Sequence, residues 1–300
     1  MKIVLKRLIA VSLIICIFLS IAPFGVTESA SVYSDAISSV MDTFVENDSA
    51  ASNINHQILN GRYRTVQMLE IIAYELDTKG VYADAIDAVM NQLIENDTNA
   101  SNINHQILNG AYRTVQMLEI IAYELDITST YGDAIDRVMD TLIKNDSSAS
   151  NINHQILNGT YRTVQMLEII AYELDANGLY SDYIDNVMDA LIKNDSSASN
   201  INHQILNGVY RTVQMLEIIA YELDTTGVYG DAIDRVMDTL IKNDSQASNI
   251  NHQIQNGTYR TVQMLEIIAY ESIPDGTISQ RDNNKNDVDM TPDATVDDDL

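Results

Sequence analysis

Cysteine is almost missing from this sequence, tryptophan is absent and cations are few: one Cys, no Trp, and 17 Lys and Arg against 43 Asp and Glu. The lone Cys16 sits inside an apolar run near the start, so the remainder of the chain has no thiol. That excludes disulfide staples, cysteine-ligated metals and cysteine nucleophiles. A formal net charge of -26 repels phosphate backbones and anionic lipid, which excludes nucleic acid as a partner class. The same charge favours solubility and draws cations or basic partner patches without choosing between them. Catalytic signatures are missing too, since no nucleophile elbow, zinc motif or phosphate loop occurs. Every candidate group recurs five times, whereas a catalytic site is one constellation of different elements, so the expectation is that the protein is not an enzyme. With 46% apolar and 20% charged residues, the composition is nevertheless that of a globular chain able to bury a sizeable core.

Lys2, Lys6 and Arg7 precede a nearly unbroken apolar run from Leu8 to Ile21, followed by small or polar residues. This is the pattern of an export signal, assigned to residues 1–30 with cleavage between Gly25 and Ser31. The run stops short of the roughly 20 residues that span a bilayer, so no membrane span is expected after cleavage. Leu13, Ile14 and Ile15 lack the small residues of a lipoprotein cleavage site before Cys16. The mature protein is therefore expected to be secreted, extracellular or held at the cell surface. At the other end, residues 272–300 are rich in Asp, Asn and Thr with almost no large apolar groups, and are expected to form a disordered acidic tail. Asn-x-Ser/Thr sequons stand at Asn47, Asn96, Asn99, Asn145, Asn158, Asn194, Asn243 and Asn256, and matter only where the host glycosylates.

Internal repetition is the strongest signal in the chain. Asn-His-Gln-Ile recurs with His56, His105, His154, His203 and His252, each 49 residues after the last. The five units are 33–81, 82–130, 131–179, 180–228 and 229–271. In the third, Asp133 is placed to cap a short amphipathic helix whose core positions are Ile135, Val138, Met139, Leu142 and Ile143. The polar run Asn145 to Ser148 is expected to end it. A second helix from about Ser150 to Leu174 carries a wide apolar face through Ile152, Ile156, Val164, Met166, Leu167, Ile170, Ala171 and Leu174. Asn158-Gly159 could break that segment and make a three-helix repeat, but Ile152 and Ile156 stay in phase with Val164 and Leu167, which predicts one continuous helix. Gly80, Gly178 and Gly227 fall where a left-handed residue ends a helix; the Asp126 to Tyr131 link has no such glycine. The period is longer than that of tetratricopeptide repeats and lacks their signature. One unit has too few core side chains to fold alone, so the units must stack. The predicted fold is all-α tandem helical hairpins, an α-solenoid or serial helical bundle, elongated into a rod or superhelix.

On the second helix His154, Tyr161, Gln165, Glu168 and Tyr172 form a polar, aromatic stripe beside the apolar half. Stacked fivefold, Tyr63, Tyr112, Tyr161, Tyr210 and Tyr259 with the five histidines make a candidate surface for a protein or polysaccharide partner. The competing reading buries those tyrosine rings between repeats as packing. Another makes each His a metal or cofactor ligand, with Met139 or Met166, one site per repeat. Against it, no second His or Cys stands near His154 at ligand spacing, and a His at a helix start is ordinarily capping or solvated. Asp133, Asp136 and Asp140 lie a turn apart, and the tail segment Asp282 to Asp289 has part of a calcium-loop spacing, but both lack the glycine turn of such loops. The functional expectation is a structural or interaction scaffold that uses no cofactor, with self-association open and a metal- or cofactor-binding repeat protein as the alternative.

Overall fold

The computed structural model describes residues 26–272; most of the expected signal segment, and the tail beyond Ser272, lie outside the described residues. Ten helices and no strand make up those described. They are α1 (Val26–Ala50), α2 (Ile54–Leu76), α3 (Ala83–Thr98), α4 (Ile103–Leu125), α5 (Gly132–Ser148), α6 (Ile152–Leu174), α7 (Ser181–Ser197), α8 (Ile201–Leu223), α9 (Gly230–Gln246) and α10 (Ile250–Ser272). Each repeat is a two-helix hairpin, and α6 runs unbroken through Gly159. Within each hairpin the buried Asn of the second helix reaches back to the first: Asn158 Nδ2 donates to the Leu142 carbonyl at 2.8 Å. Asn60, Asn109, Asn207 and Asn256 do the same in their repeats. The Asn-Gly pair that looks like a breaker is thus a tie between antiparallel helices.

The even-numbered helices α2, α4, α6, α8 and α10 pack side by side, and α10 packs back on α2. The odd-numbered helices lie outside, each on the inner helix of its own repeat and, at its edge, on the preceding one, with α1 touching α10. The repeats therefore close into a ring instead of the elongated rod or superhelix expected from the sequence. Apolar periodicity tells which face of a helix is buried, but not the angle each unit makes with the next, and that angle decides between an open superhelix and a closed circle. Because each hairpin is antiparallel, the five inner helices run parallel and all their N-termini lie at one end of the ring.

Glycine sets the close approach of the inner helices. A Cβ at Gly159 would lie 3.2 Å from Ala111 Cβ, at Gly208 2.7 Å from Thr160 Cγ2, at Gly257 2.5 Å from Val209 Cγ1, and at Gly61 2.5 Å from Thr258 Cγ2. The last of these contacts joins the first repeat to the fifth. Ile58, Ile107, Ile156, Ile205 and Ile254 from all five repeats meet with Val209 in one cluster, which places this helix face on the ring axis. The main core fills the space between inner and outer helices, with Ile135, Met166 and Val164 fully buried.

Three local expectations need correction. Helix α5 begins after Tyr131 with no side-chain cap, and Asp133 lies within its first turn. The linker is instead tied by Asp126, whose carboxylate accepts the Thr130 and Tyr131 N–H groups. Helix α5 continues through the polar run to Ser148, because the Ser147 and Ser148 hydroxyls donate to carbonyls of its own last turn. Ile143 is 66% exposed, since the outer helix meets the core along too narrow a stripe to include it. The predicted left-handed glycines are present at Gly80, Gly178 and Gly227, and in the link without one Ser129 takes the same conformation at φ 51°.

Candidate functional site

Every inner helix starts with an Asn N-cap whose side-chain oxygen accepts two backbone N–H groups, as Asn151 does from Asn153 and His154. Those two bonds fix which amide atom is oxygen. The same oxygen lies 2.9 Å from Nδ1 of His56 and 3.0 Å from Nδ1 of His105, His154, His203 and His252. An amide oxygen only accepts, so in each cluster the imidazole donates to it through Nδ1. A Ser hydroxyl completes each cluster, for example Ser150 Oγ at 3.1 Å. Four of these histidines are exposed; His252 is half-buried, and burial lowers its pKa. The closed ring places the five clusters in a circle at the end formed by the inner-helix N-termini.

The stripe of Tyr, Gln and Glu follows a different course. Tyr63, Tyr112, Tyr161 and Tyr210 are half-buried where one repeat meets the next. Each faces an Asp of the following outer helix, and burial first, then Asp97, Asp146, Asp195 or Asp244, raises its pKa. One turn short of the other end, the Tyr74, Tyr123, Tyr172 and Tyr221 hydroxyls donate to Asp87, Asp136, Asp185 and Asp234. The five stripes therefore lie along the junctions around the ring, separated by outer helices, and do not merge into one continuous surface. Tyr259 is buried outright at the junction between last and first repeats.

Two groups escaped the sequence reading. Glu75, Glu173 and Glu271 near the inner-helix C-termini are pushed up to about 9, chiefly by burial, and their carboxylate oxygens have no hydrogen-bond partner. Glu124 and Glu222 reach about 8 for the same reason, with Asp77 and Asp175 adding to it. A glutamate at the edge of the apolar half was the available signal. The other is Arg62, buried on the ring axis. Its position was marked by comparison of repeats: α2, α4, α6 and α8 are identical except there, with Arg62, Ala111, Thr160 and Val209.

Among the described residues no three His, Cys, Asp or Glu side chains are grouped to hold a metal ion, and no helix is long and apolar enough to cross a membrane. Of the sequons, Asn158 and Asn256 are buried and closed to glycans in the folded ring. Compared with known proteins, the chain matches no family model, no curated protein and no solved structure.

Proposed function

We propose that the protein is a secreted or cell-surface scaffold, not an enzyme, that engages a protein or polysaccharide partner through equivalent contacts, one per repeat. The observation that carries this reading is the circle of five His-Asn-Ser clusters at one end of a closed ring. A fivefold display multiplies a weak contact by avidity, provided the partner offers matching epitopes at the ring's spacing. The half-buried tyrosines stiffen the junctions and hold that spacing, while their exposed edges add contact area. The strong acidic charge favours a partner with basic or neutral polar groups.

The test is binding of the purified protein to immobilised surface polysaccharides and envelope proteins of its host, compared with a variant in which all five histidines are Ser. At least a tenfold loss of apparent affinity with an unchanged melting temperature supports the reading. Unchanged binding removes the histidine circle from it. The exposure of four of the five histidines also supports a second reading, in which each imidazole supplies a ligand to a soft metal. Native mass spectrometry separates the two, since this reading predicts metal mass in steps up to five per chain.

A further inference from the structure

Arg62 is the one long side chain at its level of the ring axis. The corresponding residues are Ala111, Thr160, Val209 and Thr258, short enough to leave it room to cross the interior. It reaches a residue two repeats away, its Nη2 lying 3.4 Å from Thr160 Oγ1. That contact is long, and the Thr160 hydroxyl already donates its own proton to the Ile156 carbonyl at 2.9 Å. Arg62 is only 6% exposed, and its Nε is buried without a partner. No described carboxylate pairs with it, and burial alone pulls its pKa down to about 10, which leaves the guanidinium charged at neutral pH.

A buried charge without a counter-charge is among the costliest features a fold can hold. Here the surroundings make it worse. Arg62 lies more than two turns inside its helix, and the neighbouring axial layer is the isoleucine cluster of Ile58 and its equivalents, which offers no polar group to it. An anion beside the guanidinium would supply the missing counter-charge and a charge-assisted hydrogen bond.

We propose that the ring axis binds one small, weakly hydrated monovalent anion of the chloride class against the Arg62 guanidinium. Sulfate and phosphate are disfavoured because shedding their hydration inside an isoleucine collar costs far more. Such an ion is a structural ligand of the closed ring, since the axial site exists only when all five repeats surround it.

The experiment is thermal melting of the full chain at constant ionic strength, replacing sodium methanesulfonate stepwise with sodium chloride or bromide. The melting temperature of the wild-type protein should rise on the order of 5 °C at saturating halide. Arg62→Met keeps the length and removes the charge, so its melting temperature should show no halide dependence and should exceed that of wild type in methanesulfonate. General screening by surface charge affects both proteins alike and cancels in the comparison. An equal halide response in the two proteins overturns the proposal. If Arg62→Met does not fold, bromide-soaked crystals of the wild-type protein decide: an anomalous peak beside Arg62 supports the site, and peaks at surface positions only overturn it.

Discussion

The junction between the fifth and first repeats does the same geometric work as the other four, yet it is built differently. At the four consecutive junctions a tyrosine hydroxyl meets Asp87, Asp136, Asp185 or Asp234; at the closing one Tyr270 meets Ser38 at 3.1 Å. Leu93, Leu142, Leu191 and Leu240 occupy the inward position of the outer helices, where the first repeat has Phe44. Phe44 packs its ring 4.3 Å from that of Tyr259, which Arg260 covers at 4.7 Å, and Tyr259 is 2% exposed. Consecutive repeats are held together by the chain itself. The closing pair must be brought together across the whole length of the array, which costs loop-closure entropy, and the added aromatic contact and lost carboxylate offset it.

Replacing Phe44 with Ala tests that difference most severely. It should destabilise by about 3–5 kcal/mol in urea unfolding and enlarge the radius of gyration in small-angle scattering as the ring opens. Leu142→Ala, within a consecutive repeat, should cost about 2–5 kcal/mol without opening the ring. Equal scattering from the two variants would mean that closure does not depend on the aromatic contact.

Gly61→Ala and Gly159→Ala compare the same position at the closing and a consecutive junction. At Gly61 the added methyl meets Thr258 Cγ2 at 2.5 Å, and that side chain is held by its bond to the Ile254 carbonyl, so about 1–3 kcal/mol should be lost to overpacking. At Gly159 the contact is 3.2 Å, and the gain of about 1 kcal/mol in helix propensity should leave stability nearly unchanged. Parallel denaturant titrations read both values.

The buried glutamates give the molecule a pH dependence. A carboxyl whose folded pKa is raised binds its proton more tightly in the folded state, so its stabilisation is complete below the unfolded value of 4.5 and is lost as pH rises toward the folded value of about 9. The melting temperature should therefore fall between pH 5 and pH 9. Glu173→Gln and Glu271→Gln, at consecutive junctions where Asp126 and Asp224 add to burial, and Glu75→Gln in the first repeat, where burial alone raises the pKa, should each flatten that fall and raise the pH 8 melting temperature by about 2–4 °C. The smallest effect is expected at the linker of the second and third repeats, where Ser129→Gly relieves a left-handed non-glycine residue. It should gain about 0.5–1 kcal/mol in the same titrations, and Gly178→Ser should lose a similar amount.

Much of the architecture was legible in the sequence because it depends on interactions a few residues apart. The 49-residue period, the helical spacing of Ile156, Val164 and Leu167, and the glycine punctuation at Gly80, Gly178 and Gly227 are local, and they determined an all-α array of two-helix hairpins. The histidines were readable as residues at a helix start for the same reason. Asp133 misled because the helix begins just before it, at Gly132, which leaves it inside the first turn and not in the capping position, and Ile143 misled because periodicity does not give the width of the buried stripe. Only the tertiary structure decided that the array closes after five units, that Gly61 meets Thr258 and Phe44 meets Tyr259 from opposite ends of the chain, and that Arg62 lies on the axis. These depend on the angle between successive hairpins, a small quantity set by packing at every junction and summed around the ring, which no single repeat of the sequence displays.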